Sequence, residues 1–111
     1  VKDAIVAASE LDTRLIMRPL RNTERVLTNA AVERVLAIEA AKGTATQFED
    51  IAADVAGVYP KVMVGGDMEA GAWSCGMVAG LIHDIPTCQQ LINRIMTEAE
   101  QIIRGRLAGM L

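Results

Sequence analysis

The side chains that could carry out covalent or acid–base chemistry are few: His83, Asp84, Ser74 and the thiols of Cys75 and Cys88. A serine or cysteine near a histidine can act as a nucleophile with its base, but the Gly-x-Ser-x-Gly pattern that positions such a serine is absent. Neighbouring residues on a helix point in different directions, so His83 and Asp84 do not form a dyad. The sequence predicts no catalytic residue, and His83 is expected to hydrogen-bond carbonyls at a helix end rather than to bind a ligand.

Patterns for binding metals or phosphates are missing as well. The cysteines form no Cys-x-x-Cys pair, and a single histidine does not complete a zinc site with them. Gly65-Gly66-Asp67 lacks the lysine and the spacing of a P-loop. The six methionines lie mostly at core-type spacing, which favours gap-filling over metal binding. No metal site is therefore expected.

The charge balance argues against a nucleic-acid partner. The chain has 11 basic and 14 acidic residues and a net charge of −3, whereas nucleic-acid binding usually needs a basic surface. The densest basic stretch holds no aromatic residue for base stacking; it contains Arg14, Arg18, Arg21 and Arg25. A solvated or salt-bridged face is the preferred interpretation.

Membrane and secretory locations are not indicated either. The most apolar run, residues 70–82, would span about 20 Å as a helix, against ~30 Å for a bilayer core. The amino-terminal residues do not resemble a signal peptide. A secreted disulfide scaffold of this size usually has more than two cysteines. We expect Cys75 and Cys88 to be buried free thiols in a reducing cytoplasm, with no membrane partner.

Four stretches place apolar residues at helical spacing: residues 2–11, 22–42, 46–57 and 87–107. The second is predicted to begin at Asn22 or Thr23 and to end at Lys42, before Gly43. The third and fourth open with the capping-box patterns Thr46-Gln47-Phe48-Glu49 and Thr87-Cys88-Gln89-Gln90. The amphipathic stretches are expected to bury one another's apolar faces.

The remaining segments are less regular. Residues 68–82 are predicted to be helical in part, with Gly76 and Gly80 on one face where another backbone or a ligand can approach closely. Residues 13–17 are predicted to be extended, and no second strand is evident, so their pairing partner is expected outside this chain. The predicted fold is mainly α, a single helical domain over residues 1–111.

Two stretches of the chain resemble a known enzyme family. The first contains Asp12-Thr13, Leu15-Ile16-Met17-Arg18, Leu20-Arg21-Asn22-Thr23 and Arg25-Val26. The second contains Gly66-Asp67, Gly71, Trp73-Ser74, Gly76, Val78, Gly80-Leu81-Ile82-His83-Asp84 and Pro86-Thr87-Cys88. Together they are similar to the C-terminal part of the nitronate monooxygenase (2-nitropropane dioxygenase-like) flavoenzymes. NADH:quinone reductases and flavin-type enoyl-acyl-carrier reductases belong to the same broad group.

The resemblance implies that the chain is a C-terminal fragment of a longer oxidoreductase. The family carries an N-terminal (β/α)8 barrel that binds FMN and holds the catalytic histidine, and sites of this kind lie at the C-terminal ends of barrel strands. This chain would form the helical cap over the active site and a terminal helix packed on the barrel. Nitronates, nitroalkanes or an NAD(P)H:quinone pair are the implied small-molecule substrates. The segment alone is expected neither to bind FMN nor to be active.

The same resemblance names candidate residues. Trp73, Ser74 and Gly76 are candidates for the substrate side of the cap, and Arg21 with Asn22 for anchoring the domain. In the competing interpretation, Trp73 is the one large core residue and Gly76 is a packing glycine.

A different class of function fits part of the sequence. The apolar stripe of residues 91–107 and the net charge of −3 suit a stand-alone helical interaction or oligomerisation module without catalysis, such as a homo-oligomer.

Overall fold

A computed structural model describes all residues from Val1 to Leu111 and shows a mainly helical chain with one small sheet. The elements are α1 (Lys2–Ala7), β1 (Thr13–Ile16), β2 (Glu24–Leu27), α2 (Ala30–Lys42), α3 (Phe48–Val55) and α4 (Cys88–Gln101). Short 3-10 turns cover Gly43–Ala45, Met77–Leu81 and Ala108–Met110, and π-helical turns cover Pro60–Val64 and Ile102–Leu107. The predicted fold class is confirmed. None of the helices is long and apolar enough to cross a membrane.

The predicted extended segment finds its partner inside the chain. β1 pairs antiparallel with β2, so that Thr13 lies opposite Leu27 and Ile16 opposite Glu24. The expectation of an outside partner was wrong, and so was the assignment of residues 24–27 to a helix. The helix begins later because Asn29 is its cap, and the Asn29 side chain accepts a hydrogen bond from the Val32 N–H at 2.9 Å.

A first core cluster lies between the hairpin and the next two helices. It contains Ile16, Met17, Val26, Val32, Val35, Ile51 and Ala72.

Helix α2 ends at Lys42 as predicted, with Gly43 at a φ of 55°, a conformation that suits glycine. Helix α3 is not capped by Thr46, because the Thr46 hydroxyl donates to the Gly43 carbonyl at 2.7 Å. Instead, the Gln47 N–H donates to the Asp50 carboxylate at 2.9 Å, which shifts the predicted capping pattern by one residue.

A second core cluster surrounds Trp73, which is 1% exposed, and includes Val62, Cys75 and Ala79. Helix α1 covers this cluster with the partly buried Ala4 and Ile5. The helix is shorter than predicted and ends at Ala7.

The end of α1 has a local cause. The Asp12 carboxylate accepts hydrogen bonds from the Ser9 N–H at 2.7 Å and from the Ser9 hydroxyl at 2.9 Å, which holds the following residues in a turn. These two bonds lower the pKa of Asp12.

Residues 68–82 do not form the partial α-helix predicted for them; only Met77–Leu81 makes a short 3-10 turn. Their backbone groups bond to other elements instead, as in the hydrogen bond from the Ala72 N–H to the Asp54 carbonyl at 2.8 Å. The segment also passes very close to its neighbours. A Cβ atom on Gly71 would lie 2.3 Å from the Val58 Cβ, and one on Gly80 would lie 2.8 Å from the Glu10 nitrogen.

Helix α4 starts as predicted but does not pack as predicted. The Gln90 N–H donates to the Thr87 hydroxyl at 3.2 Å, and the Thr87 N–H donates to the Gln90 side chain at 2.9 Å. No residue of α4 is buried. The apolar stripe is 44–58% exposed at Leu91, Ile92, Ile95, Met96, Ile102, Ile103 and Leu107, so the expected mutual burial of the helices was wrong for this one. The irregular residues 82–87 separate α4 from the body, and a bidentate pair between Arg94 and Asp84 braces the join.

The buried cap residue Asn29 gives the first prediction. Besides capping α2, its side-chain amide donates to the Met68 carbonyl at 2.7 Å and to the Gly71 carbonyl at 2.9 Å. We expect Asn29→Ala to lower the free energy of unfolding by about 2–3 kcal/mol, because a cap and two buried bonds are lost together. Urea denaturation followed by circular dichroism measures this. Thr87→Ala, which removes an exposed cap on α4, is the matched control and should cost about 1 kcal/mol or less. Equal losses in the two variants would contradict the role assigned to Asn29.

Candidate functional site

The candidate residues around Trp73 sit on a short extended segment along the outer edge of β2. The Leu27 N–H donates to the Trp73 carbonyl at 3.3 Å, and the Cys75 N–H donates to the Arg25 carbonyl at 3.1 Å. Because side chains alternate along an extended segment, Trp73 and Cys75 point into the core and Ser74 points outward. The backbone thus presents one hydroxyl and buries the two residues on either side of it.

Three side chains meet at this point. The Ser74 hydroxyl donates a hydrogen bond to the Glu24 carboxylate at the start of β2. The Tyr59 phenol oxygen lies 2.7 Å from the Ser74 hydroxyl oxygen and accepts a hydrogen bond from the Ser74 N–H at 3.0 Å. We call this group the Tyr59–Ser74–Glu24 cluster. Only Ser74 was a candidate from the sequence, since 15 residues separate it from Tyr59 and 50 from Glu24.

The other two substrate-side candidates lie in different surroundings. Trp73 is 1% exposed, and its indole N–H has no hydrogen-bond partner. Gly76 is exposed, and a Cβ atom added there would meet nothing closer than Val78 at 3.8 Å. Trp73 therefore acts as a core residue of this chain, whereas Gly76 is not required for packing within it.

The anchoring candidates lie on the loop between β1 and β2. Arg21 and Asn22 are exposed, and Arg21 has a φ of 55°, a left-handed conformation that is uncommon for a residue other than glycine. The Asn22 N–H donates to the Met17 carbonyl at 3.3 Å, and the Met17 N–H donates to the Glu39 carboxylate at 2.6 Å. The Arg21 and Asn22 side chains share no hydrogen bond with the Tyr59–Ser74–Glu24 cluster.

The thiols and the histidine differ from expectation in part. Both cysteines are free; Cys75 is buried as predicted, but Cys88 is exposed at the start of α4. Burial raises the pKa of the Cys75 thiol, which makes it less reactive.

His83 is exposed and takes part in none of the side-chain hydrogen bonds, so the expected bond to helix-end carbonyls does not form. Its neighbour Asp84 pairs with Arg94, and the hydrogen bond from the Arg94 guanidinium lowers the pKa of Asp84.

No three histidine, cysteine, aspartate or glutamate side chains come together in a group that could hold a metal ion. A cleft of about 290 Å³ lies between α1 and the start of α4. Its lining is mostly apolar and consists of Lys2, Ile5, Val6, Ile82, Asp84, Ile85, Pro86, Cys88 and Leu91. The cleft shares no lining residue with the Tyr59–Ser74–Glu24 cluster.

The two glycines give a prediction about packing. We expect Gly71→Ala to destabilise the chain by about 1–3 kcal/mol, because its methyl group would overlap the buried Val58. Gly76→Ala should change stability by about 0.5 kcal/mol at most, since the site is open. Thermal unfolding of the two variants provides the comparison. A large loss for Gly76→Ala would restore the packing-glycine interpretation.

The two thiols give a prediction about reactivity. An aromatic disulfide reagent should modify Cys88 rapidly and Cys75 only after unfolding, because only Cys88 is exposed and the thiolate form of Cys75 is suppressed. The absorbance of the released thiol reports the rate. Cys88→Ser should abolish the fast phase, and Cys75→Ser should leave it unchanged. Two fast thiols in the native chain would show that Cys75 is accessible.

Comparison with known proteins supplies the wider context. No protein-family model matches the chain. The structure of FabK from Thermotoga maritima matches with a TM-score of 0.82 and 27% sequence identity, covering 98% of this chain and 33% of that one. The structure of a point mutant of the same FabK matches with a TM-score of 0.72 and 25% identity, covering 98% of this chain and 29% of that one. The chain spans about a third of the FabK chains it matches, and it has the fold of that part of FabK.

Proposed function

We propose that this chain is the C-terminal helical segment of an FMN-dependent oxidoreductase. The observation that carries the proposal is the match to FabK over 98% of the chain. FabK is an enoyl-acyl-carrier-protein reductase of the flavin-dependent barrel group, which is the broad group that the sequence motifs resemble. Fold and motifs are separate lines of support for the same assignment.

The exposed stripe of α4 supports a large missing neighbour. About half of each large apolar side chain on the stripe faces water, which is unfavourable over a continuous surface. The stripe is also broad, since it occupies adjacent positions at Leu91 and Ile92, at Ile95 and Met96, and at Ile102 and Ile103. A broad apolar face is typical of a helix packed on a globular body, whereas a two-stranded coiled coil uses a narrow seam. The missing barrel is such a body.

The residues of the Tyr59–Ser74–Glu24 cluster do not fit the phosphate of FMN. The outward groups of the Tyr59–Ser74–Glu24 cluster are oxygen acceptors, and one of them is a carboxylate, so they would repel an FMN phosphate. We propose that the barrel binds FMN and supplies the catalytic histidine, and that this segment is inactive alone. When bound, FMN supplies the electron transfer.

For the cap, we propose that Ser74 and Gly76 form the part that faces the substrate, since both are exposed and adjoin the same edge of β2. Trp73 would support them from the core. Arg21 and Asn22 are free to contact the barrel.

Three reactions are open to the longer enzyme: the oxidation of nitronates or nitroalkanes, quinone reduction and enoyl reduction. The likeness to FabK favours enoyl reduction. The two free thiols agree with a cytoplasmic location.

Flavin binding tests the proposal directly. The 111-residue chain should neither retain FMN on gel filtration nor show NAD(P)H oxidation. The polypeptide encoded in frame upstream of Val1 and through this segment should retain about one flavin per chain, measured by absorbance. Retention of stoichiometric flavin by the short chain would overturn the division of roles. A start codon in place of an upstream barrel sequence would overturn the fragment assignment.

The exposure of the α4 stripe also favours a second candidate, a stand-alone oligomerisation module. Light scattering after gel filtration separates the two. A single defined oligomer that Ile95→Glu converts to monomer would support this module. Weak, concentration-dependent association without a defined size would instead agree with a stripe that is made for the barrel.

A further inference from the structure

The Tyr59–Ser74–Glu24 cluster has a fixed arrangement of protons. The Ser74 hydroxyl group donates its one hydrogen bond to the Glu24 carboxylate. The Ser74 hydroxyl oxygen can therefore only accept from Tyr59, so the phenol O–H, 2.7 Å away, points inward to Ser74. The Ser74 N–H is used as well, because it donates to the phenol oxygen at 3.0 Å. Every donor of the cluster is thus engaged within it.

What remains on the outer side is a set of acceptors. The phenol oxygen and the Ser74 hydroxyl oxygen each keep an unused lone pair, and Glu24 keeps its second carboxylate oxygen. Tyr59 is 42% exposed and Ser74 is exposed, so a ligand can reach this side. A ligand that hydrogen-bonds here must bring its own N–H or O–H groups.

The charge of the cluster is not balanced by the chain itself. None of the four ion pairs involves Glu24. Its neighbour Arg25 points to the opposite face of β2 and donates to the Thr13 hydroxyl at 2.9 Å. A negative charge is therefore held in place by Ser74 beside an exposed aromatic ring, and the face of a tyrosine ring also attracts cations.

We propose that the Tyr59–Ser74–Glu24 cluster is a binding site for a cationic N–H donor, an alkylammonium or guanidinium group. Glu24 supplies the charge, the phenol oxygen of Tyr59 supplies a second acceptor, and the Tyr59 ring covers one side of the cation. Ser74 is a positioning residue, since its protons hold the other two side chains. The site shares Ser74 with the proposed substrate-facing part of the cap, but it is tested without flavin, so its failure and the failure of the oxidoreductase proposal are distinguishable.

Titration of the 111-residue chain with methylguanidinium chloride, followed by NMR, tests the site. Tyr59 is the only tyrosine of the chain, so its ring signals need no further assignment. The Ser74 amide and the Tyr59 ring should shift saturably, and tetramethylammonium, a cation without N–H groups, should bind more weakly. Equal shifts with tetramethylammonium or sodium, or the absence of saturation, would overturn the proposal.

Variants assign the contributions. Glu24→Gln should weaken methylguanidinium binding by about three- to fivefold, the effect expected for one exposed ionic contact. Tyr59→Phe should weaken it by a similar factor, because it removes the phenol acceptor while keeping the ring. Glu49→Gln, which removes an exposed carboxylate from α3, should leave binding unchanged. Unchanged amide signals from residues outside the cluster verify that each variant is folded. If Glu24→Gln disturbs β2, Tyr59→Phe alone still tests the site. Unchanged binding in both site variants would contradict the assignment.

The same titration distinguishes the source of the cation. A short arginine-containing peptide that binds more tightly than methylguanidinium identifies a side chain of another protein segment as the occupant. Equal affinities show that the site binds the cationic group alone, which agrees with a small-molecule cation as the occupant. Either result supports the site, and failure of both probes to bind overturns it.

Discussion

Strand β2 is hydrogen-bonded along both of its edges, and the placement of the other elements depends on this. On one edge it pairs with β1, and on the other it bonds to the segment of Trp73, Ser74 and Cys75. The pairing buries Val26 completely in the first core cluster. Two residues past the strand, Asn29 caps α2 and also holds the carbonyls of Met68 and Gly71. Four residues of sheet thereby join the hairpin, the helices and the irregular segment that carries the site.

Local signals in the sequence predicted local structure well. The capping pattern at Thr87 and Gln90 and the Lys42-Gly43 helix end form as predicted, because the partners are within a few residues of each other. Strand β2 was missed although its partner β1 is close in sequence, because Val26 and Leu27 fit the apolar spacing of a helix equally well. Tertiary pairing overrode that local preference, as it did for residues 68–82.

The candidate site likewise combines a residue that a sequence motif indicates with residues that only the tertiary structure brings together. Ser74 was identified from a family-like motif, whereas Glu24 and Tyr59 carried no signal, since an isolated carboxylate or phenol is usually a solvated surface group. Trp73 illustrates the reverse case. The motif placed it among the substrate-side candidates, but alternation along the extended segment turns its ring into the core. The motif points to a segment, and the backbone geometry decides which of its side chains is exposed.

The shape of the chain supports the proposal that α4 packs on a larger body. Its radius of gyration is 18.2 Å, whereas a compact chain of this size has about 13 Å. The excess comes from α4, which extends from the body and leaves its stripe exposed, while the rest of the chain forms two closed core clusters. Disorder or weak helix propensity does not account for this, because α4 is regularly capped and its apolar spacing is continuous. A helix so well specified and yet uncovered supports the proposal that α4 packs on a larger body, and the match of this chain to a third of FabK is consistent with that proposal.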